Sequence, residues 1–82
     1  MNIPKIIKVI TTDKMVLIVS FSDGSIKYYD CSTVVARNDY YKRLENPGFF
    51  KNFQIDNGGH GIYWDDDVDL SEYEIYQNGK NY

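Results

Sequence analysis

The 82-residue sequence predicts one small α+β domain, with a small antiparallel sheet of about five strands built from two β-hairpins and short helices packed on one face. Three observations predict this class. Short β-branched and aromatic runs are separated by turn residues, Asp-Gly and Gly-Gly pairs stand in two of the turns, and helix-start residues lie between and after the hairpins. We expect the domain to span residues 1–76 and to be followed by a polar tail at residues 77–82.

The first half of the chain is predicted to form three strands joined by tight turns. The runs Ile6–Thr12, Met15–Phe21 and Ile26–Cys31 are β-branched and too short for helices. Residues 13–14 join the first two strands. Residues 23–24 are Asp-Gly, and this pair between two apolar runs is typical of a two-residue type I′ turn.

A two-residue turn would set the register of this hairpin. Phe21 would face Ile26, and Val19 would face Tyr28. A slip of one residue would exchange the two faces of the strands, so the turn type decides which side chains are buried. The face predicted to be in the core carries Leu17, Val19, Phe21, Ile26 and Tyr28. The face predicted to be outside carries Val16, Ile18, Ser20, Lys27 and Tyr29.

The second hairpin is predicted at residues 53–56 and 61–64, and two registers are open. With Gly58-Gly59 as the loop, Ile55 faces Ile62. With residues 57–58 as the loop, Ile55 faces His60. The first register is preferred, because it pairs apolar side chains with each other.

Short helices are predicted in the middle of the chain and near its end. Ser32 is placed to cap a turn over residues 33–36, Asn38 or Asp39 to cap the next helix, and Asn46, followed by proline, to cap the one after it. Ser71 and Glu74 have the spacing of a capping box and indicate the start of the last helix.

The amino-acid composition and the charge of the chain exclude several classes of function. Nine Lys and Arg residues against twelve Asp and Glu residues give a formal net charge of −3, which argues against direct nucleic-acid binding. The same charge suits a basic protein partner, or serves solubility alone. One cysteine rules out an intrachain disulfide and favours the cytoplasm. No run approaches the roughly 20 apolar residues of a membrane span, so no membrane association is expected.

No catalytic or cofactor-binding residue is predicted. His60 is the only histidine and lies between glycines, and no motif links it to the thiol of Cys31. We therefore expect a non-enzymatic protein without a cofactor.

An acidic segment follows the second hairpin. Asp65, Asp67 and Asp69 have the spacing that opens a calcium loop, but Leu70 stands where glycine is needed and Tyr76 where the bidentate glutamate is needed. No metal site is therefore predicted. Three alternatives stay open: a solvated corner, a charged patch that binds a basic partner, and a cation site in which Glu72 and Glu74 supply oxygens at non-standard spacing. The candidate partner-binding residues are Asp65, Asp66, Asp67, Asp69, Glu72, Glu74, Tyr40 and Tyr41.

The order of short motifs resembles one protein family. FSDGS at residues 21–25, followed by YDCS at 29–32, is similar to the "FSDG-(S/T) … D-L-S" hairpin of the domain of unknown function 2442 family. LENPGFF at 44–50 is similar to its "L-x-D-P-x-x-F" turn. Residues 53–71 are similar to its closing "V-D … W … D-L-S/D" segment. Cys31, Gly48 and residues 65–67 depart from the family pattern.

The resemblance implies a small bacterial or phage α+β domain, often encoded beside another small protein in suspected toxin–antitoxin pairs. It carries no catalytic residue with it. The first functional hypothesis is an antitoxin-like or regulatory protein-binding module with a basic, toxin-like partner. The alternatives are a metal-dependent or thiol enzyme that uses residues 65–69, His60 or Cys31, and an acidic inhibitor that mimics nucleic acid. A homodimer through an open edge of the first or third strand is also considered.

Overall fold

The computed structural model describes residues 3–82, so Met1 and Asn2 of the predicted domain lie outside the described residues. Its elements are, in chain order, β1 (Ile6–Thr11), β2 (Val16–Phe21), β3 (Ile26–Asp30), α1 (Ser32–Arg37), a 3₁₀ helix (Asp39–Glu45), α2 (Pro47–Lys51), β4 (Gln54–Ile55), β5 (Gly61–Tyr63), β6 (Asp69–Ser71), α3 (Glu72–Asn78) and β7 (Lys80–Asn81). The predicted α+β class is confirmed, and the strand pairings within residues 3–82 are all antiparallel. No helix in this range is long and apolar enough to cross a membrane.

The strands form two sheets, where the sequence predicted one. The larger sheet has the order β1-β2-β3-β7 and the smaller sheet the order β4-β5-β6. A backbone hydrogen bond of 2.9 Å from Ile6 N to Gly59 O joins them. β6 is absent from the prediction, since its aspartate- and serine-containing sequence has low strand propensity and is held only by pairing with β5.

The register predicted for the β2–β3 hairpin is wrong by one residue. Leu17 pairs with Tyr29 and Ile18 with Tyr28, so the loop has three residues, 22–24. Gly24 has a φ of +89°, but Asp23 does not have the positive φ that a type I′ turn requires. The core face therefore carries Tyr29, while Ile26 and Tyr28, which were predicted to be buried, lie on the outer face and are exposed.

The preferred register of the second hairpin is confirmed, because Ile55 pairs with Ile62. The cap predicted at Ser32 is wrong, because α1 begins at Ser32 itself and Cys31 precedes it as the N-cap without a side-chain bond. The other predicted caps are confirmed. Asn38 accepts from Tyr40 N, Asn46 from Phe49 N and Ser71 from Glu74 N, and each begins a helix. Each cap satisfies a backbone donor that the first helical turn leaves without a partner.

The sequence predicts a polar tail at residues 77–82, and the structure places β7 within that range. Lys80 pairs with Tyr28, and Asn81 pairs with Lys27. β7 therefore covers the edge of β3, one of the two edges considered for homodimer pairing, and leaves β1 at the other edge of the sheet.

One buried cluster draws side chains from both sheets and from every helix. Trp64 is its largest member, and its indole Nε1–H donates to Phe50 O at 2.9 Å. The rings of Trp64 and Phe50 are stacked with centroids 6.2 Å apart. The helices cover the inner face of the larger sheet, as predicted. The cluster consists of Ile6, Leu17, Val19, Phe21, Tyr29, Cys31, Val34, Leu44, Phe50, Ile62, Trp64, Val68, Leu70 and Ile75.

Candidate functional site

Asp65 organises the turn between β5 and β6. Its Oδ1 accepts from the backbone N–H groups of Asp67 and Val68, both at 2.9 Å. Arg43 of the 3₁₀ helix also pairs with its carboxylate. The bond from the Asp67 amide, followed by those from Val68 and Arg43, holds the pKa of the Asp65 carboxyl below its usual range. The role of Asp65 is thus to shape the turn.

The two glutamates of α3 face different neighbours. The Oε1 atom of Glu72 lies 3.8 Å from Lys5 Nζ and 3.4 Å from His60 Nδ1. The Oε2 atom of Glu74 accepts from the Tyr29 hydroxyl at 2.7 Å and lies 3.7 Å from Arg37. Both carboxylates therefore have partners within the chain.

The other three aspartates of the segment are exposed and have no basic partner within residues 3–82. Asp66 and Asp67 lie in the turn, and Asp69 opens β6 opposite Tyr63. The described part of the chain contains no group of three or more His, Cys, Asp or Glu residues that could hold a metal ion. The six predicted carboxylates therefore divide into three with internal partners and three that face solvent.

A groove of about 470 Å³ lies between α1 and the 3₁₀ helix on one side and β6 and α3 on the other. Tyr41 forms part of its wall and donates a hydrogen bond of 2.9 Å to the backbone O of Asp69. Burial raises the pKa of Tyr41, so its hydroxyl stays protonated and remains a donor. The residues that line the groove are Val34, Arg37, Asn38, Tyr41, Asp69, Leu70, Ser71 and Glu74.

The groove brings together three of the eight predicted residues: Tyr41, Asp69 and Glu74. Tyr40 is exposed and lines a shallower depression beside it. The other four are outside the groove: Asp65, Asp66, Asp67 and Glu72. The eight predicted residues therefore do not form one site in the fold, although most of them are close in the sequence.

A second groove of about 360 Å³ adjoins the first one. Arg37 and Glu74 line both grooves and form the ridge between them. Tyr29 reaches this ridge, and its burial, together with its bond to Glu74, raises its pKa well above the usual range. Arg37 and Tyr29 are absent from the predicted site, since an ion pair between residues 37 and 74 depends on how α1 and α3 approach each other.

The residues considered for a thiol enzyme are not assembled. Cys31 is fully buried, and burial, with a smaller effect of Asp30, raises the pKa of its thiol to about 12. The thiol is therefore protonated at neutral pH and is a poor nucleophile. The Nδ1 atom of His60 lies 3.0 Å from Lys5 Nζ and 3.4 Å from Glu72, and no hydrogen bond joins His60 to Cys31.

The outer face of the larger sheet is a surface that the sequence prediction missed. Ile10, Ile26 and Tyr28 lie on it and are 47%, 40% and 36% exposed, and Ile7 at the edge is 63% exposed. The prediction missed this face because the hairpin register it used placed Ile26 and Tyr28 in the core. A signal was present in β2, where apolar residues Val16 and Ile18 alternate with the core residues, so that both faces of the strand are apolar.

Comparison with known proteins supports the family assignment. A family model described as "Protein of unknown function (DUF2442)" matches residues 6–81. The chain belongs to this family. The match begins with β1 and ends in β7, so this DUF2442 domain includes both sheets and all the helices described above. No curated protein and no solved structure matches the chain significantly.

Proposed function

We propose that this DUF2442 protein is a non-enzymatic protein-binding module that accepts a basic segment of a partner protein in the groove between α1 and α3. The observation that supports this proposal most is the convergence of Tyr41, Asp69 and Glu74. They come from three separate elements and line one concave surface. Ligand sites are typically concave, with a few polar groups placed among apolar ones.

The chemistry of the groove suits a lysine or arginine side chain. Tyr41 offers an aromatic wall for its methylene stem, and the buried side chains of Val34 and Leu70 also line the groove. Arg37 already balances the charge of Glu74, so the unbalanced negative charge of the groove belongs to Asp69. Asp66 and Asp67 extend this charge along the neighbouring turn. Such a field mainly speeds the encounter with a basic partner and selects against acidic ones.

The proposed partner is a small basic protein encoded beside the gene for this chain, with this chain acting as the antitoxin-like or regulatory member of the pair. The proposal of a bacterial two-protein module draws on the family resemblance of the sequence. The net charge of −3 and the exposed aspartates agree with a basic partner.

The test is co-expression of this chain with the product of the adjacent gene, followed by affinity capture and calorimetry. We expect a stable complex that weakens as salt is raised. Asp69→Asn should weaken it roughly fivefold, which corresponds to an ion pair of about 1 kcal/mol. Asp13→Asn is the matched control, since Asp13 is also exposed but lies at the β1–β2 turn. Absence of a complex, or equal effects of the two substitutions, would contradict the proposal.

A further inference from the structure

The outer face of the larger sheet is an apolar surface that no element covers within residues 3–82. Ile18 lies at its centre, paired with Ile10 on one side and Tyr28 on the other. Ile26 extends the face along β3. A contiguous apolar patch of this kind marks an interaction site more often than an isolated exposed side chain does.

Two opposite charges stand at diagonal corners of the part of this face that β1, β2 and β3 form, and Lys80 of β7 adds a third charge beside Tyr28. Lys8 pairs with Ser20 at one end of the sheet, and Asp30 pairs with Val16 at the other end. Across β1, β2 and β3 the outward-facing side chains form three rows. The first row is Lys8, Ser20 and Ile26, and the second is Ile10, Ile18 and Tyr28. The third row has Val16 on β2 and Asp30 on β3.

Both charges are available to a partner. Lys8 is exposed and forms no ion pair within the described residues. Asp30 is exposed as well, and its Oδ1 accepts from Ser32 N and Oγ at the start of α1. Its other oxygen, Oδ2, has no hydrogen bond within residues 3–82.

We propose that this face binds a second copy of the chain, with the two sheets crossing near a right angle. A two-fold axis that lies between the sheets and passes over Ile18 and Ile26 places Lys8 of each copy opposite Asp30 of the other. Orthogonal packing is one of the two common arrangements of stacked sheets, and a two-fold interface is self-complementary by construction.

The spacing of the sheet permits this match. Strands about 4.8 Å apart and same-face residues about 6.7 Å apart form a nearly square grid, so a right-angled crossing aligns Lys8 with the second copy's Asp30 to within about 3 Å in the plane. The axis along the other diagonal would instead set Lys8 against Lys8 and Asp30 against Asp30. The pairing of Lys8 with Asp30 therefore favours the first arrangement.

This dimer is independent of the proposed function, because the partner groove lies among the helices and β6 and not on the outer face. Three short strands offer less than the roughly 800 Å² per partner of a standard interface, so we expect a dimer that forms at micromolar rather than nanomolar concentration.

Sedimentation equilibrium with two charge reversals tests the proposal. The wild type should show a concentration-dependent monomer–dimer equilibrium. Lys8→Glu alone and Asp30→Lys alone should each weaken association about tenfold or more, because each places two like-charged pairs in the interface. An equimolar mixture of the two variants should dimerise again, since the mixed dimer regains an opposite-charge pair at both contacts. Lys42→Glu, which reverses an exposed charge on the 3₁₀ helix, should leave association unchanged.

A second measurement does not depend on the folding of Asp30→Lys, which loses the bond to Ser32. Lys8 and Asp30 of one chain are about 16 Å apart by strand spacing, too far for a zero-length carbodiimide crosslink. A Lys8–Asp30 crosslink in the wild-type dimer, identified by mass spectrometry, would thus join two copies. A wild type that stays monomeric at high concentration overturns the proposal. So does a dimer that tolerates Lys8→Glu, or one that gives no such crosslink.

Discussion

Gly59 lies in the turn between β4 and β5, where this turn packs directly against β1 of the larger sheet. Its carbonyl accepts from Ile6 N at 2.9 Å, and its φ is +73°. A Cβ at this position would overlap the carbonyl oxygen of Ile6 and lie 2.9 Å from its nitrogen. Both the backbone conformation and the close approach of β1 therefore require glycine here.

Gly59→Ala should lower the free energy of unfolding by about 2–5 kcal/mol, the sum of the positive-φ cost and the overlap with β1. Gly24→Ala is the control, because Gly24 has a φ of +89° but nothing within 4 Å of its added Cβ. It should cost only about 1–2 kcal/mol. Urea denaturation of the two variants measures the difference, and equal losses would show that the contact with Ile6 adds nothing.

The burial of Cys31 makes the stability of the folded protein depend on pH in the alkaline range. Burial raises the pKa of the folded thiol from 9.0 to about 12. When the folded pKa is the higher one, the stabilising contribution is complete below the unfolded pKa and is lost as the pH rises towards the folded pKa. The contribution of Cys31 is therefore present below pH 9 and declines between pH 9 and 12.

Thermal unfolding at a series of pH values tests this expectation. The stability of the wild type should fall more steeply between pH 9 and 12 than that of Cys31→Ala, with an upper bound of roughly 4 kcal/mol on the difference. The tyrosines titrate in both proteins, so the comparison isolates the thiol. Parallel pH profiles would mean that the thiol ionises as readily in the folded protein as in the unfolded one.

Among the elements, the β2–β3 hairpin shows where sequence reasoning reaches its limit. Asp-Gly suits a two-residue loop and also the last two positions of a three-residue loop, and positive φ at Gly24 fits both. Asp23 decides between them, because its Oδ1 accepts from Ser25 N at 2.9 Å and from Ser25 Oγ at 2.6 Å. Tyr29 adds a tertiary reason, since only the observed register lets its hydroxyl reach Glu74 from the core.

The caps at Asn38, Asn46 and Ser71 were predictable because they are local. An Asn, Ser or Asp at an N-cap bonds to a backbone amide two or three residues away, so its signal lies within a few letters of the sequence. β6 and β7 carry no comparable local signal. They are strands only because β5 and β3 offer them an edge for pairing.

The N-cap of α2 contributes to stability through the side chain of Asn46. Asn46→Ala removes the bond from Phe49 N at 3.1 Å and should lower the free energy of unfolding by about 1 kcal/mol. Asn52→Ala at the other end of α2 is the control, because the side chain of Asn52 makes no hydrogen bond within the described residues. Denaturant titration should separate the two variants, and a similar small loss in both would show that the cap does not stabilise this helix.

For the whole molecule, the candidate groove was predictable only in part. Tyr41, Asp69 and Glu74 could be named because carboxylates and tyrosines cluster in the sequence. Their convergence, and the part played by Arg37, depend on α1 packing beside α3, which no local pattern records. The sequence thus indicated the chemistry of the surface, while its shape came from the packing of the two sheets and the helices.

That packing joins the two sheets through a single core. Ile6 of the larger sheet and Trp64, which directly follows β5 of the smaller sheet, belong to the same buried cluster. A small domain with one core is expected to unfold in one cooperative step, so neither sheet should melt before the other. Trp64 fluorescence reports on the region of the smaller sheet, and far-ultraviolet circular dichroism reports on the backbone of the whole chain.

Ile6→Val tests whether the two sheets unfold together, because Ile6 lies in the larger sheet and the fluorescence reports on the smaller one. Removal of one buried methyl group should lower the free energy of unfolding by about 1 kcal/mol and shift the midpoints of both signals equally, although Trp64 is not in the larger sheet. Ile7→Val is the control, because the neighbouring side chain is 63% exposed and should cost little. If Ile6→Val shifted the circular dichroism midpoint and left that of Trp64 in place, the sheets would unfold separately, and the shared core would not bind them into one cooperative unit.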